Sequence, residues 1–456
     1  MEWLAVAFAL LIVHAALFRK LIHPSIGDAI GYQTLARQIA KGGLFSAVAY
    51  DPIHTYGYPL FLSPLVLIER FTSIPLELLA AELQCAVYLS AAWLLRSEIR
   101  RISRRLSEWV FIAFCLNVFV LGYVAETLTE SLTLSLITLV GWCWLWSVRS
   151  FRSRSWMLAA TTGSLLAGFA VMVRPANLFL VAAWIVGQAM LALRRRIGPR
   201  IGEASRRAAV FVLALAAVAA PCIPQFYNNI IFGRVATPLL ASDLPTLQLF
   251  VGIRNLKIVY GLNPLPAVAV QYVNPFAIAT SSSIDRNQPL RWYRENPGAG
   301  LATIILHEFA LLDQDFLFIY IVDISPPYRI PLTMINHAGI GLAVYALWLS
   351  IRARTSGGRR MPILRISWPV ISLFIVGVCA IYGGSQVEAR YGLPLILIAA
   401  PLAVGAIFQL RYASGRRRAL VAGMIAFYTI SAVLASQWMR SQSPVIVKLE
   451  NAHLFR

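Results

Sequence analysis

Apolar runs close to the roughly 20 residues that cross a bilayer recur along the chain. They fall at 2–18, 76–95, 108–125, 128–148, 156–173, 176–193, 208–224, 332–350, 366–382, 393–410 and 419–436. The polar positions between them are unevenly spread. Segments 96–107, 149–155, 194–207, 352–365 and 411–418 hold 5, 3, 6, 5 and 4 Lys or Arg residues, against only two acids, Glu98 and Glu203. Basic residues gather on the cytoplasmic side of membrane proteins, so the pattern predicts that all five segments share that side.

That parity requires two further apolar stretches to stop short of crossing. Tyr58 to Phe71 is short, carries Pro59 and Pro64, and ends in Glu69-Arg70, so it reads as an interfacial helix. Stretch 301–323 is broken by His307, Glu308, Asp313, Gln314, Asp315 and Asp323. The expected fold class is therefore an all-α polytopic membrane protein, a bundle of about 11 transmembrane helices with interfacial helices on the outer face. A single domain, 1–456, then has its N-terminus inside, its C-terminus outside, a first outer loop at 19–75 and a large outer loop or cap at 225–331. The cap balances seven basic residues with seven acids, and its Pro, Asn, Ser and Gly content predicts mostly irregular chain. Interfacial helices are expected within it at Pro289 to Glu295 and Leu301 to Leu312.

Composition agrees with the pattern. The 456 residues are 59% hydrophobic and 13% charged, far from the soluble average. The net charge of +20 comes from short clusters between apolar runs, with no basic face interleaved with stacking aromatics, so no nucleic-acid partner is expected. Cys85, Cys115, Cys143, Cys222 and Cys379 all lie in apolar runs with no close pair, which indicates neither a disulfide framework nor a metal site. The first run follows Met1-Glu2-Trp3, an acid where a secretory signal has basic residues, and reads as an uncleaved span. Thirty-six arginines against four lysines point to a GC-rich, bacterial source, and so to a multi-pass protein of the bacterial plasma (inner) membrane.

Acids near membrane depth are costly and mark function by default. Asp28 opens the polar, helix-like stretch Gly27 to Gly43. Glu126 and Glu130 are four apart, on one face of an expected helix, where they hold the acceptor, an arginine or a divalent ion, and Glu388 and Arg390 lie on a short outer turn. Parity puts all of them on the outer side, together with Arg37, Lys41, Arg174 and Arg234. Arg174-Pro175 sits in a very short turn, where a guanidinium either binds a phosphate bidentately or snorkels to the headgroups. His54, His307 and Asp315 are outer-face residues read first as structural and second as sugar contacts.

Several nucleotide and hydrolase signatures are missing. His307-Glu308 has Leu311 where a zinc protease needs a second histidine. Gly339-Ile340-Gly341 opens a span and follows no strand. No phosphate-cradling loop ends in Gly-Lys-Ser/Thr, and no nucleophile elbow is found. An activated substrate would have to arrive through the membrane.

Taken in order, the motifs resemble those of the GT-C glycosyltransferases, and within them the bacterial protein-mannosyltransferase-like and aminoarabinose-transferase-like group. The matching residues are Asp28 with Tyr32 and Ala36, then Gly57-Tyr58-Pro59-Leu60-Phe61-Leu62, then Glu126 to Glu130. Val173-Arg174-Pro175, Pro221 to Gly233 and Glu388-Ala389-Arg390-Tyr391-Gly392-Leu393-Pro394 follow. Thr55-Tyr56 stands where an arginine often precedes Gly-Tyr-Pro, Tyr227-Asn228 where Arg-Asn is usual, and Asp28-Ala29 where some members have Asp-Glu. The resemblance implies transfer of a monosaccharide, with inversion, from a polyprenyl-phosphate-linked donor to a lipid, glycan or protein acceptor at the outer face.

By that resemblance Asp28 is the catalytic base, and Tyr32, Arg37, Lys41, Glu126, Glu130, Arg174 and Arg390 are substrate-binding residues. No cofactor or metal is expected. Residue chemistry alone is compatible, because a glycosyl phosphate needs one base for the acceptor and cations for the departing phosphate. A second reading makes Asp28 a helix N-cap. A competing function is a transporter or flippase of lipid-linked sugars, although inverted repeats and mid-membrane charges are not evident. A catalytically dead scaffold is the third.

Overall fold

The computed structural model describes residues 1–22, 27–151, 153–193, 201–240, 242–261, 268–279, 284–317, 320–321, 327–355, 362–385, 387–442 and 444–448. Helices dominate, and the chain divides into two compact units.

The first unit comprises 1–116, 124–242 and 349–377. Its helices are α1 (Glu2–Ile22), α2 (Asp28–Gly42), α3 (Gly57–Thr72), α4 (Leu76–Arg100) and α5 (Arg104–Cys115). The short α6 (Val118–Val124) precedes α7 (Thr129–Ser150), α8 (Ser155–Val173), α9 (Leu178–Leu193), α10 (Ile201–Ala219) and α11 (Ile223–Ile231). Helix α7 packs on α4 and α8, and α8 in turn on α9 and α10. Small residues allow this, with Ala159, Ala160, Ala167 and Ala170 of α8 fully buried. The basic ends are pinned by ion pairs. Arg96 makes two hydrogen bonds to Glu2, each 2.8 Å long, and Arg149 makes two to Glu98, each 2.9 Å. Thus Glu2 and Glu98, the latter one of two acids in the basic segments, both neutralise arginines.

The second unit comprises 117–123, 243–348 and 378–456. It begins its long stretch with α12 (Leu244–Arg254) and two strands, β1 (Asn255–Gly261) and β2 (Val268–Val273). Then come α13 (Pro275–Ala279), α14 (Pro289–Glu295), α15 (Pro297–Leu312) and β3 (Tyr320–Ile321). Four more helices follow, α16 (Arg329–Thr355), α17 (Pro362–Tyr382), α18 (Leu393–Leu410) and α19 (Gly415–Ser441), and then β4 (Pro444–Lys448). The boundary between units falls within α16 and again within α17.

Among the described residues eight helices are long and apolar enough to cross a bilayer, or nine if α5 and α6 form one broken span. Each of the eleven expected runs is helical, although 108–125 is divided between α5 and α6. The difference in count arises at α5–α6, interrupted near Leu116, and at two shorter apolar helices, Glu2–Phe18 and Ser367–Tyr382. Burial separates inner from outer spans: 72% of the apolar window in α7 is buried, against 22% in α19, whose Leu420, Met424, Phe427, Ile430 and Leu434 are exposed. An outward face of that kind suits lipid.

One expectation is corrected. Region 225–331 was read as irregular chain with interfacial helices. The helices are present as α14 and α15, but a four-stranded sheet in the order β3-β1-β2-β4 accompanies them. Strands β1 and β2 are antiparallel, Tyr260 opposite Ala269 and Val259 opposite Val270, and β2 pairs antiparallel with β4 from the far C-terminus. Val259, Val270, Tyr272 and Phe316 form its small core. Such short strands lack a hairpin turn signal, and the β4 partner lies too far along the chain to be visible as a local pattern. Asp323 lies outside the described residues.

Candidate functional site

Asp28 is the first helical residue of α2, and it is exposed. The helix N-cap is Gly27, with φ of 62° and no side-chain cap bond, so Asp28 does not cap the helix. Glycine suits that positive φ. It leaves the carboxylate at the helix N-terminus, where the backbone field favours an anion.

Tyr32, one turn on, packs edge-on against two rings, His54 at 4.7 Å and Tyr58 at 5.2 Å between centroids. Tyr58 is completely buried at the start of α3 and donates to Gln84 Oε1 at 2.7 Å. Gln84 Nε2 in turn donates to the backbone carbonyls of Val124 and Glu126, at 2.7 and 2.9 Å. Gln33 adds a second tie from α2, donating to Thr127 Oγ1 at 3.1 Å. These bonds fasten α2 and α3 to the segment 124–130. Close approach of α3 to the end of α8 depends on Gly57, since a Cβ there would stand 2.4 Å from the carbonyl carbon and oxygen of Met172. That contact explains the glycine of Gly57-Tyr58-Pro59.

The segment 124–130 corrects a second expectation. Glu126 lies in the bend between α6 and α7, while Glu130 is in the first turn of α7, so the two acids do not share a helical face. Both are buried, and their charges bear on the Tyr58 phenol. Arg174, at the end of α8, donates through Nη1 to Glu130 Oε1 at 2.8 Å. Its side chain is 15% exposed and that of Glu130 2%. The Arg174 guanidinium is thus held by a protein carboxylate in an ion pair set within the helices.

Arg37 and Lys41 lie farther along α2, exposed. Arg37 pairs loosely with Glu69 of α3 at 3.4 Å. Asp28, Tyr32, Arg37, Lys41, Glu126, Glu130 and Arg174 all belong to the first unit.

Arg390 belongs to the second. Its Nε donates to Glu388 Oε2 at 2.6 Å, and Glu388 Oε1 accepts from Tyr260 and Tyr391 at 3.0 and 3.1 Å. Glu388 also bridges to Ile258 of β1, so the Glu388-Ala389-Arg390-Tyr391 turn is built onto the sheet.

Sequence reasoning missed two groups. Asp51 accepts hydrogen bonds through Oδ1 from the Ile53 and His54 amides at 2.7 and 3.0 Å, while Oδ2 stands 3.1 Å from His54 Nδ1. Asp51-Pro52 followed by His54 is a readable Asx-turn signal. The second group is buried. Lys257 Nζ donates to the Asp313 carbonyl at 2.6 Å and to Asp315 Oδ1 at 2.9 Å, and lies 3.3 Å from Asp313 Oδ2. Arg440 pairs with Asp315, Ser436 donates to Asp313 at 2.8 Å, and His337 Nε2 stands 3.5 Å from Asp313 Oδ1. Burial disfavours the charged form of both Lys257 and Asp313, but their opposed charges outweigh it. Lys257 is held above and Asp313 well below the ordinary range. His307, also buried, faces the carbonyls of Gly383 and Asn255 at 2.9 and 3.0 Å. Both His307 and Asp315 are therefore enclosed by protein partners.

No protein-family model and no curated protein matches the chain. Two solved structures of the oligosaccharyltransferase of Archaeoglobus fulgidus overlay on it. One, tethered to an acceptor peptide through a disulfide, gives a TM-score of 0.47 at 12% identity, covering 95% of this chain and 55% of that one. The other, the archaeal oligosaccharyltransferase AglB with an inhibitory peptide and a dolichol-phosphate, gives 0.46 at 12%, covering 96% and 56%. The chain thus spans about half the length of these neighbours. Overlay at this level decides neither family nor activity.

Proposed function

We propose that the chain is a membrane glycosyltransferase of the GT-C type. It moves a monosaccharide from a polyprenyl-phosphate-linked donor to an acceptor at the outer, periplasmic face, with inversion and with Asp28 as general base. The observation that carries this reading is the contrast around α2. An exposed carboxylate opens the helix, one turn before Tyr32, while the bonds through Tyr58 and Gln84 fasten that helix to the buried Glu126 to Glu130 segment and its Arg174. A rigidly supported, solvent-facing acid is what acceptor activation needs.

In the reaction Asp28 takes the proton of the acceptor hydroxyl. The oxygen forms its bond to the anomeric carbon from the face opposite the phosphate. The bond from that carbon to the phosphate oxygen breaks, its electron pair stays on the phosphate, and polyprenyl phosphate departs as an anion. Only the departing phosphate needs cations, so one carboxylate suffices where glycoside hydrolysis uses two. Arg37 and Lys41 on α2, with Arg174, are the cations assigned to it, and Arg390 of the second unit is assigned to substrate binding by itself. Tyr32 and the acids Glu126 and Glu130 are assigned to substrate binding, Glu130 through its hold on Arg174.

The purified protein in nanodiscs, given polyprenyl-phosphate hexoses and pentoses with membrane-derived acceptors, tests the reading. Release of free polyprenyl phosphate, read by mass spectrometry, is expected. A transporter or flippase would move the intact lipid-linked sugar between leaflets without consuming it, and that outcome overturns the proposal.

A further inference from the structure

The Asp51–His54 pair sits against the same helix as Asp28, in the first unit. A Cβ built on Gly31 would stand 3.3 Å from His54 Cε1, and the Tyr32 ring meets the His54 ring edge-on. Gly31 and Tyr32 follow Asp28 by three and four positions, so they share its helical face. His54 therefore packs directly beneath the face that carries Asp28. Its orientation is fixed from the other side, since Asp51 accepts from the His54 amide and faces Nδ1 at once. The His54 side chain is 17% exposed and that of Asp51 28%, whereas Asp28 is open to solvent.

We infer that His54 is a positioning residue for Asp28: anchored by Asp51, its imidazolium holds the Asp28 carboxylate ionised and directed toward the acceptor. This rests on the reading of Asp28 as general base. The charged groups facing His54 are Asp51 from its own loop and Asp28 from α2, with the Tyr32 phenol beside them. Burial disfavours the imidazolium, but the Asp51 hydrogen bond and the Asp51 and Asp28 charges outweigh it, so His54 titrates above its ordinary value. Asp51, likewise desolvated, is held below its ordinary value by His54 and the two amides. The sign follows. The His54 cation is fully present below about pH 6.5 and is lost as pH rises through its raised value. The Asp51 anion is lost only as pH falls through its lowered one. Between these limits the imidazolium and the Asp51 carboxylate are both charged, and the Asp28 charge bears on the imidazolium from α2.

Two readouts test this. In the pH–rate profile of transfer, His54→Gln is expected to shift the acid limb to higher pH and to abolish the basic limb. Asp51→Asn is expected to move the basic limb to lower pH while sparing the rate in acid. Profiles parallel to the wild type, merely scaled down, would mean a structural histidine and overturn the inference. The second readout needs no turnover: NMR titration of isotope-labelled histidine, with the His54 signal assigned by its loss in His54→Gln. The His54 pKa is expected to fall in both Asp28→Asn and Asp51→Asn, and an unchanged value in Asp28→Asn overturns the coupling. Absence of turnover in the wild type would instead refute the glycosyltransferase reading, with the titration still deciding the coupling.

Discussion

Two clusters of acids and bases among the described residues are built to opposite plans. Around Asp28 the groups are graded, from an open carboxylate through a mostly buried histidine to its anchoring Asp51. Around Lys257 nothing is graded: Lys257, Asp313, Asp315 and His337 are each at most 1% exposed and bound to one another. Both hold two aspartates and a histidine, and the second adds Lys257 and Arg440. What differs is access, and access separates chemistry from architecture. A charge that meets solvent and is supported from behind can exchange a proton with a substrate. A charge enclosed by complementary partners is held by them, and breaking its set leaves an uncompensated ion in a medium that solvates it poorly.

The comparison breaks most visibly at Lys257. Lys257→Met should destabilise the protein by about 3–5 kcal/mol, the usual consequence of removing one partner of a buried ion pair. It would be read as a large fall in melting temperature in detergent or as loss of folded protein. Adding Asp315→Asn should restore part of the loss, because the two sites share one network. A single variant that melts like the wild type would show that the cluster contributes little to folding.

A much smaller effect is expected at Arg37. Its pair with Glu69 is 46% exposed on the arginine side, so Arg37→Ala should change stability by no more than about 1 kcal/mol. Its effect should appear in KM for the lipid-phosphate donor instead. A large melting shift with unchanged KM would move Arg37 from the substrate side to the scaffold.

How much of this was legible in the sequence depended on range. The spans were, because hydropathy is a local property, and every expected apolar run is helical, with only 108–125 divided between two helices bent apart. Gly57-Tyr58-Pro59 marked a special position, though its reason, backbone contact with Met172, joins residues far apart in sequence. The sheet in 225–331 was not legible, since β2 finds β4 only at the end of the chain. Nor was the Lys257 cluster, whose members come from β1, the segment after α15, α16 and α19. Around the candidate site, the helix that carries Asp28 and Tyr32 one turn apart was readable from their spacing. The pairing of Arg174 with Glu130, and of Arg390 with Glu388, was not, because composition shows a charge but not its partner.

The central claim is that Asp28 serves chemistry and not the fold. Turnover of lipid-linked sugar and thermal unfolding, measured on the same preparation of Asp28→Asn, test it most directly. The account predicts unfolding within about 1 kcal/mol of wild type, as for an exposed surface position, with transfer lowered by at least about 100-fold, the usual contribution of a general base. Transfer at the wild-type rate by a folded Asp28→Asn protein would contradict it.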